Sequence, residues 1–189
     1  SGVFAASEPA LRLVSALALA VSIPLIFALG GLFGGRFTAW FVSGLYAVNP
    51  IILLNGRRAM QEGLLLCFGI LVVLVAVRIS HRRAQARPVP FWFWLALVLS
   101  GACAIASKHP GVVFVAGAFG WVFVAELLRG SWRDLLVTTA KLLLSGVAVI
   151  ALFVALSPAL WNDPIARFRD LLEQRAWLLE IQVTVDPLA

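Results

Sequence analysis

Apolar residues in this chain come in long, nearly unbroken runs rather than in the striped pattern of water-soluble helices, and six such runs are separated by short polar breaks. The first covers about Leu11 to Leu29 and carries Pro24; Gly30, Gly31, Gly34 and Gly35 then predict a turn beside Arg36. A second run, Phe37 to Leu54, contains Pro50 near its end and is broken by Asn55-Gly56-Arg57-Arg58. The third, about Ala59 to Val77, has Glu62 in its first turn and leads into a basic segment, Arg78, Arg82, Arg83 and Arg87, that stops at Pro88 and Pro90. The fourth, Phe91 to Ser107, opens on the aromatic cluster Phe91-Trp92-Phe93-Trp94. Lys108-His109-Pro110-Gly111 interrupts before the fifth, Val112 to Leu128; Arg129, Arg133 and Asp134 precede the sixth, which ends near Leu156. A helix needs ~20 mostly apolar residues to cross a ~30 Å hydrocarbon layer. The pattern therefore predicts an all-α, polytopic transmembrane helical bundle of about six spans.

The pattern changes after Leu156. Ser157-Pro158-Ala159-Leu160-Trp161-Asn162-Asp163-Pro164 contains a helix start, a carboxylate cap followed by proline at the first helical position. Ile165, Phe168, Leu172, Ala176 and Leu179 recur at helical spacing, with Arg167, Arg169, Asp170, Glu173 and Gln174 on other faces. This predicts a C-terminal amphipathic interfacial helix, anchored at headgroup depth by Trp161 and Trp177. Residues 1–157 form the transmembrane region, and 158–189 an outer-face loop and helix.

Composition supports this. Hydrophobic residues make up 62% of the chain and charged residues 13%, against ~25% charged in soluble domains; a soluble fold is excluded. The net charge of +6 sits in the breaks between apolar runs, where it orients helices, and no nucleic-acid-binding motif accompanies it. Cys67 and Cys103 fall inside apolar runs and read as small buried side chains. With no His/Cys cluster, and only Glu62 or Asp163 as lone carboxylates in the outer breaks, no metal or other cofactor is implied. No signal-peptide n-region opens the chain, and both ends read as cuts in a longer protein, which would leave this piece inactive alone.

The arginines between the third and fourth runs mark that connection as cytoplasmic. Alternation then places Arg36 and the 129–141 segment inside, and Arg57, Arg58, Glu62, Lys108, His109, Trp161 and Asp163 outside. The outer cations do nothing for orientation. They either snorkel to lipid phosphates or, clustered with Glu62 and Asp163, hold an anionic ligand at the boundary.

Four stretches, in order, carry a resemblance: Ala10-Leu11-Arg12-Leu13-Val14-Ser15, opening the first run; Asn49-Pro50 followed by Gly56-Arg57-Arg58-Ala59-Met60-Gln61-Glu62; Ala106-Ser107-Lys108-His109-Pro110-Gly111; and Pro158-Ala159-Leu160-Trp161-Asn162-Asp163-Pro164. Together they resemble the C-type glycosyltransferase superfamily, in particular the bacterial relatives of the dolichyl-phosphate-mannose–protein mannosyltransferases and of the lipid A aminoarabinose transferases. The resemblance implies transfer of a sugar from a polyprenyl-phosphate carrier to an acceptor at the extracytoplasmic face of the bacterial inner membrane. It makes Arg57, Arg58, Glu62, Lys108, His109, Trp161 and Asp163 the candidate substrate-binding residues. The physics agrees: apolar spans suit a polyprenyl tail, and arginine and lysine suit a phosphate leaving group. Arg58 and Glu62, four apart, would share a helix face.

The chain departs from the family where the catalytic base is concerned. The family's acidic base lies in its first outer loop, and nothing around Glu8 matches that motif, so the base is expected upstream. The family often has Asp where Glu62 stands, and aromatic or other residues where His109 stands. Two other classes fit the composition: a transporter, which would favour polar residues near mid-membrane and internal repeats, and a non-catalytic protein whose outer cations bind lipid headgroups. The acceptor stays open, among protein, lipid A, another glycan and a cell-wall polymer.

Overall fold

The computed structural model describes residues 8–57, 62–129, 131–161 and, beyond them, residues 163, 166, 169, 170, 173, 174, 176 and 177. The described residues form helices and turns, with no strand among them. The helices are α1 (Glu8–Val48), α2 (Pro50–Arg57), α3 (Glu62–Ala84), α4 (Phe91–Ser107), α5 (Gly111–Leu127) and α6 (Trp132–Leu156), followed by one 3-10 turn at Pro158–Leu160.

The glycine cluster predicted to turn the chain does so inside α1. Gly34 and Gly35 leave helical geometry, Gly35 at φ 72° and ψ −162°, a region open in practice only to glycine. The two limbs then lie side by side. Ser22 Oγ meets Tyr46 Oη at 2.7 Å, and the Phe27 and Trp40 rings pack edge-on at 5.1 Å. A β-carbon on Gly30 would stand 3.0 Å from the Ala39 Cα. Residues 22 and 46 would lie roughly 36 Å apart in a straight helix, so α1 is a hairpin.

The second run is shorter than its apolar pattern suggests. Asn49 interrupts it, its side-chain Oδ1 accepting hydrogen bonds from the N–H groups of Ile51 (3.0 Å) and Ile52 (3.3 Å). With Pro50 at the first helical position, this is a new helix start rather than a continuation. The third run is longer: α3 begins at Glu62 and continues past Val77 to Ala84, so Arg78, Arg82 and Arg83 are helical rather than in a loop.

Helix α3 is the hub, with residues from Gly63 to Ser80 buried at close intervals. Named contacts give the topology. Gly63 crosses the first limb of α1 at Ser15, and Gly69 seats against Phe114 of α5. Arg82 at the end of α3 stacks on Phe93 at the start of α4, whereas Lys108 after α4 pairs with Glu62 at the start of α3; these two helices are antiparallel. Arg83 meets Glu126, making α3 and α5 parallel. Gly101 packs on Val149, and Lys141 sits over Trp94, making α4 and α6 parallel. Phe33, beside the hairpin turn, touches Trp121 near the end of α5. Chain direction therefore alternates through the bundle. One end collects Arg36, Arg78, Arg82, Arg87 and Arg133; the other collects Glu62, Lys108 and the turn after α6.

The core between α3, α4, α5 and α6 is made of Val72, Val75, Ala76, Ile79, Trp94, Leu97, Ala118, Val122 and Leu142. Outward faces are also apolar, including Leu143, Leu144, Val147 and Ile150 on α6. A bundle that is apolar inside and out is a membrane protein. Helices α3 and α6 are long and apolar enough to cross a membrane, the apolar stretch Arg12–Val48 is folded into the two limbs of the α1 hairpin, and α4 and α5 are shorter apolar helices.

Candidate functional site

Two helix ends build the site at the less basic end of the bundle. Helix α4 closes at Ser107, whose hydroxyl donates to the Cys103 carbonyl (2.7 Å). Lys108 then turns extended (φ −165°, ψ 147°), its N–H still bonded to the Ala104 carbonyl at 3.3 Å. The Gly111 N–H closes the turn on the Lys108 carbonyl at 2.8 Å. A β-carbon at Gly111 would lie 2.2 Å from the Ala104 carbonyl oxygen, so only glycine lets α5 start this close to the end of α4. The spacing Ser107-Lys108-x-x-Gly111 is thus a tight interhelical turn that sends the lysine outward.

The Lys108 ammonium donates to the Glu62 carboxylate, joining residues 46 apart in sequence. The lysine side chain is 45% exposed and the glutamate 19%, so the carboxylate is the more enclosed member of the pair. Glu62 is held in place by the close crossing of Gly63 with Ser15, where a β-carbon would stand 2.3 Å from the Ser15 carbonyl oxygen. The pair joins the start of α3 to the turn between α4 and α5.

The other predicted residues distribute as follows. The backbone of Arg57 ends α2, close in sequence to this corner, and its side chain lies outside the described residues, as does all of Arg58; the expected Arg58–Glu62 pairing falls there too. His109 is exposed in the turn beside Lys108. Trp161 is 64% exposed, and its indole N–H points back to the Val154 (3.2 Å) and Ala155 (3.3 Å) carbonyls in the last turn of α6, where Val154 also accepts from the Ser157 N–H. Asp163 Oδ1 accepts from the Ala166 N–H at 3.0 Å, the geometry of a helix cap. Trp161 and Asp163 follow α6 at the same end as Lys108, each engaged with its own local backbone. The expected apolar stripe Ile165, Phe168, Leu172 and Leu179 lies outside the described residues; Arg169 and Glu173 in that stretch form an exposed pair at 2.9 Å.

Among the described residues no group of His, Cys, Asp and Glu is arranged to hold a metal ion. Cys67 is buried and Cys103 half-buried, both as free thiols.

These motifs are not assembled by chance. The family model described as dolichyl-phosphate-mannose-protein mannosyltransferase matches residues 2–163, spanning both limbs of α1, the Lys108 turn and the turn after α6. The chain belongs to this family. It is therefore a membrane glycosyltransferase of the mannosyltransferase type. Comparison with curated proteins and with solved structures gave no match.

For this mannosyltransferase family member, sequence reasoning overlooked one charged group. Glu126 lies in the apolar fifth run and is 2% exposed. Arg83 grips its carboxylate with two bonds, Arg129 adds a third at 2.8 Å, and Arg83 also reaches Asp134 at 3.3 Å. The Arg129 guanidinium donates as well to the Ser80 carbonyl. A carboxylate in an apolar span needs a cation, and Arg129 three residues on was the available signal. This cluster is at the basic end, across the bundle from Lys108, and ties α3, α5 and α6 together.

Proposed function

We propose that the protein transfers a mannose-type sugar from a polyprenyl-phosphate carrier to a protein acceptor, at the extracytoplasmic face of the bacterial inner membrane. The family's description names a dolichyl-phosphate-linked mannose donor and a protein acceptor, and a polyprenyl phosphate shares that chemistry. The observation that carries the reading is the Lys108–Glu62 pair: a carboxylate-steered ammonium at a helix junction, at the end of the bundle opposite the arginine-rich one. Because basic connections stay cytoplasmic, the end with Lys108 faces outward.

In the reaction, an acceptor hydroxyl oxygen forms a bond to the anomeric carbon as the bond from that carbon to the phosphate oxygen breaks. The acceptor proton passes to a general base, which the family resemblance puts in the first outer loop, and polyprenyl phosphate leaves. Negative charge grows on the phosphate as it departs. Lys108, with Arg57 and Arg58 from the end of α2 and the following residues, stabilises that charge. Glu62 positions Lys108, while His109, Trp161 and Asp163 line the approach of sugar and acceptor.

The test is transfer of labelled mannose from polyprenyl-phosphate-mannose to a hydroxyl-bearing acceptor protein, in membranes carrying the whole gene product. Lys108→Ala should reduce transfer roughly 100-fold or more while the protein still inserts. Unchanged transfer would remove Lys108 from the site. Movement of the intact donor across the membrane, without sugar transfer, would favour a transporter instead.

A further inference from the structure

We propose that the basic end of the bundle carries a second, separate site, which binds the phosphodiester headgroup of an anionic phospholipid between Arg82 of α3, Phe93 and Trp94 of α4 and Lys141 of α6. The deeper cations at this end, Arg83 and Arg129, are matched by Glu126. Arg82 and Lys141 have no carboxylate partner among the described residues. Each lies instead over an aromatic ring of α4: the Arg82 Cζ is 5.4 Å from the Phe93 centroid, and the Lys141 Nζ is 5.8 Å from that of Trp94. Phe93 and Trp94 are consecutive in the first turns of α4, so the start of this helix is flanked by cations arriving from α3 and α6.

Two donors at this place also lack acceptors. Arg82 Nε and Trp94 Nε1 are both buried without a hydrogen-bond partner among the described residues, and Trp94 as a whole is only 8% exposed. Buried donors are nearly always paired, so the pair of orphans is informative. Helix α4 itself begins after Pro90 without a side-chain cap, which leaves the positive end of its dipole uncovered. Every group in the cluster is a cation, a donor or a ring. The complement they share is an anion.

A lipid headgroup fits better than a free ion because Phe91 and Trp92, on the same turn, are 77% and 64% exposed. Exposed rings beside a cationic patch suit the boundary between headgroups and acyl chains, and basic pockets between spanning helices at the cytoplasmic face select anionic lipids. This site stands apart from the Lys108–Glu62 corner and does not depend on the reaction proposed there.

The experiment is native mass spectrometry of the whole purified protein in detergent, with added phosphatidylglycerol, phosphatidylcholine or inorganic phosphate. Phosphatidylglycerol should be retained roughly tenfold more than phosphatidylcholine, and Arg82→Ala/Lys141→Ala should bring the two to the same level. Arg36→Ala/Arg133→Ala, removing exposed charges from the same end, should leave the preference intact. Trp94→Phe keeps the ring, deletes the orphan N–H and should lower retention several-fold even if the double variant fails to fold. Equal retention of the two lipids by the wild type would overturn the proposal. So would an equal loss in the Arg36/Arg133 variant, full retention in Trp94→Phe, or displacement of the lipid by millimolar phosphate.

Discussion

Arg83 holds Glu126 at two points, Nε to Oε2 at 2.6 Å and Nη2 to Oε1 at 2.9 Å, with the glutamate side chain only 3% exposed. Two parallel bonds fix the guanidinium plane relative to the carboxylate, and therefore the end of α3 relative to the end of α5. Arg129 and Asp134 extend the contact to the start of α6. Glu126→Gln removes the carboxylate that, among the described residues, pairs with both Arg83 and Arg129. Loss of one partner from a buried pair typically costs ~3–5 kcal/mol, so unfolding in detergent by heat or denaturant should show a loss of that order. Arg129→Ala should cost less, since Arg83 still covers the carboxylate. A Glu126→Gln protein within ~1 kcal/mol of wild type would mean the network contributes little.

The Glu62–Lys108 pair is expected to behave differently, because Lys108 is nearly half exposed. Its contribution to stability is small, ~1 kcal/mol or less. The exchanged variant Glu62→Lys/Lys108→Glu should fold as well as wild type, since the attraction is restored with its signs reversed. Sugar transfer should stay lost, because the open head would now be a carboxylate facing a phosphate. Recovery of transfer in the exchange variant would show that the pair matters for structure alone.

The hairpin in α1 rests on backbone freedom at Gly35. A β-carbon there meets nothing within 4 Å, so Gly35→Ala isolates the cost of φ 72° and ψ −162°. A non-glycine residue in that region costs ~1–3 kcal/mol. The neighbouring Gly34→Ala adds a steric term, its β-carbon falling 2.1 Å from Thr38 Oγ1. Both variants should unfold more readily, Gly34→Ala at least as much as Gly35→Ala; a neutral Gly35→Ala would show that the two limbs tolerate another connection.

Alternating chain direction predicts opposite labelling at the two ends. In a Cys67→Ala/Cys103→Ala background, a membrane-impermeant thiol reagent applied from outside should label His109→Cys and spare Arg87→Cys, with the reverse in inverted vesicles. Both positions are exposed in the structure. Labelling of both from one side would break the topology.

Much of the architecture was legible in the chain. Apolar runs mark membrane helices because unpaired backbone groups are too costly in hydrocarbon for any other open structure. The glycines after Leu29 marked a turn, and Asp163 before Pro164 marked a cap; both are found. Boundaries were less legible. Asn49 splits a run that hydropathy joins, because a single side-chain cap outweighs an apolar average. Arg78, Arg82 and Arg83 read as a loop yet continue α3, since arginine is a good helix former and two of these three find seats on neighbouring helices.

Read alone, the chain already shows a helical membrane protein, a glycine turn after Leu29 and an arginine-rich end. Those properties follow from local chemistry: the transfer of side chains into lipid, the backbone freedom of glycine and the reach of a cap over one turn. Which charge meets which follows from the packing of the helices in three dimensions. Lys108 answers Glu62 across 46 residues, and Arg83 answers Glu126 across 43. Arg82 and Lys141 are left to the rings of α4. Such partnerships depend on how α3 packs among α1, α4 and α5, a cooperative outcome of shape that no short stretch of sequence contains.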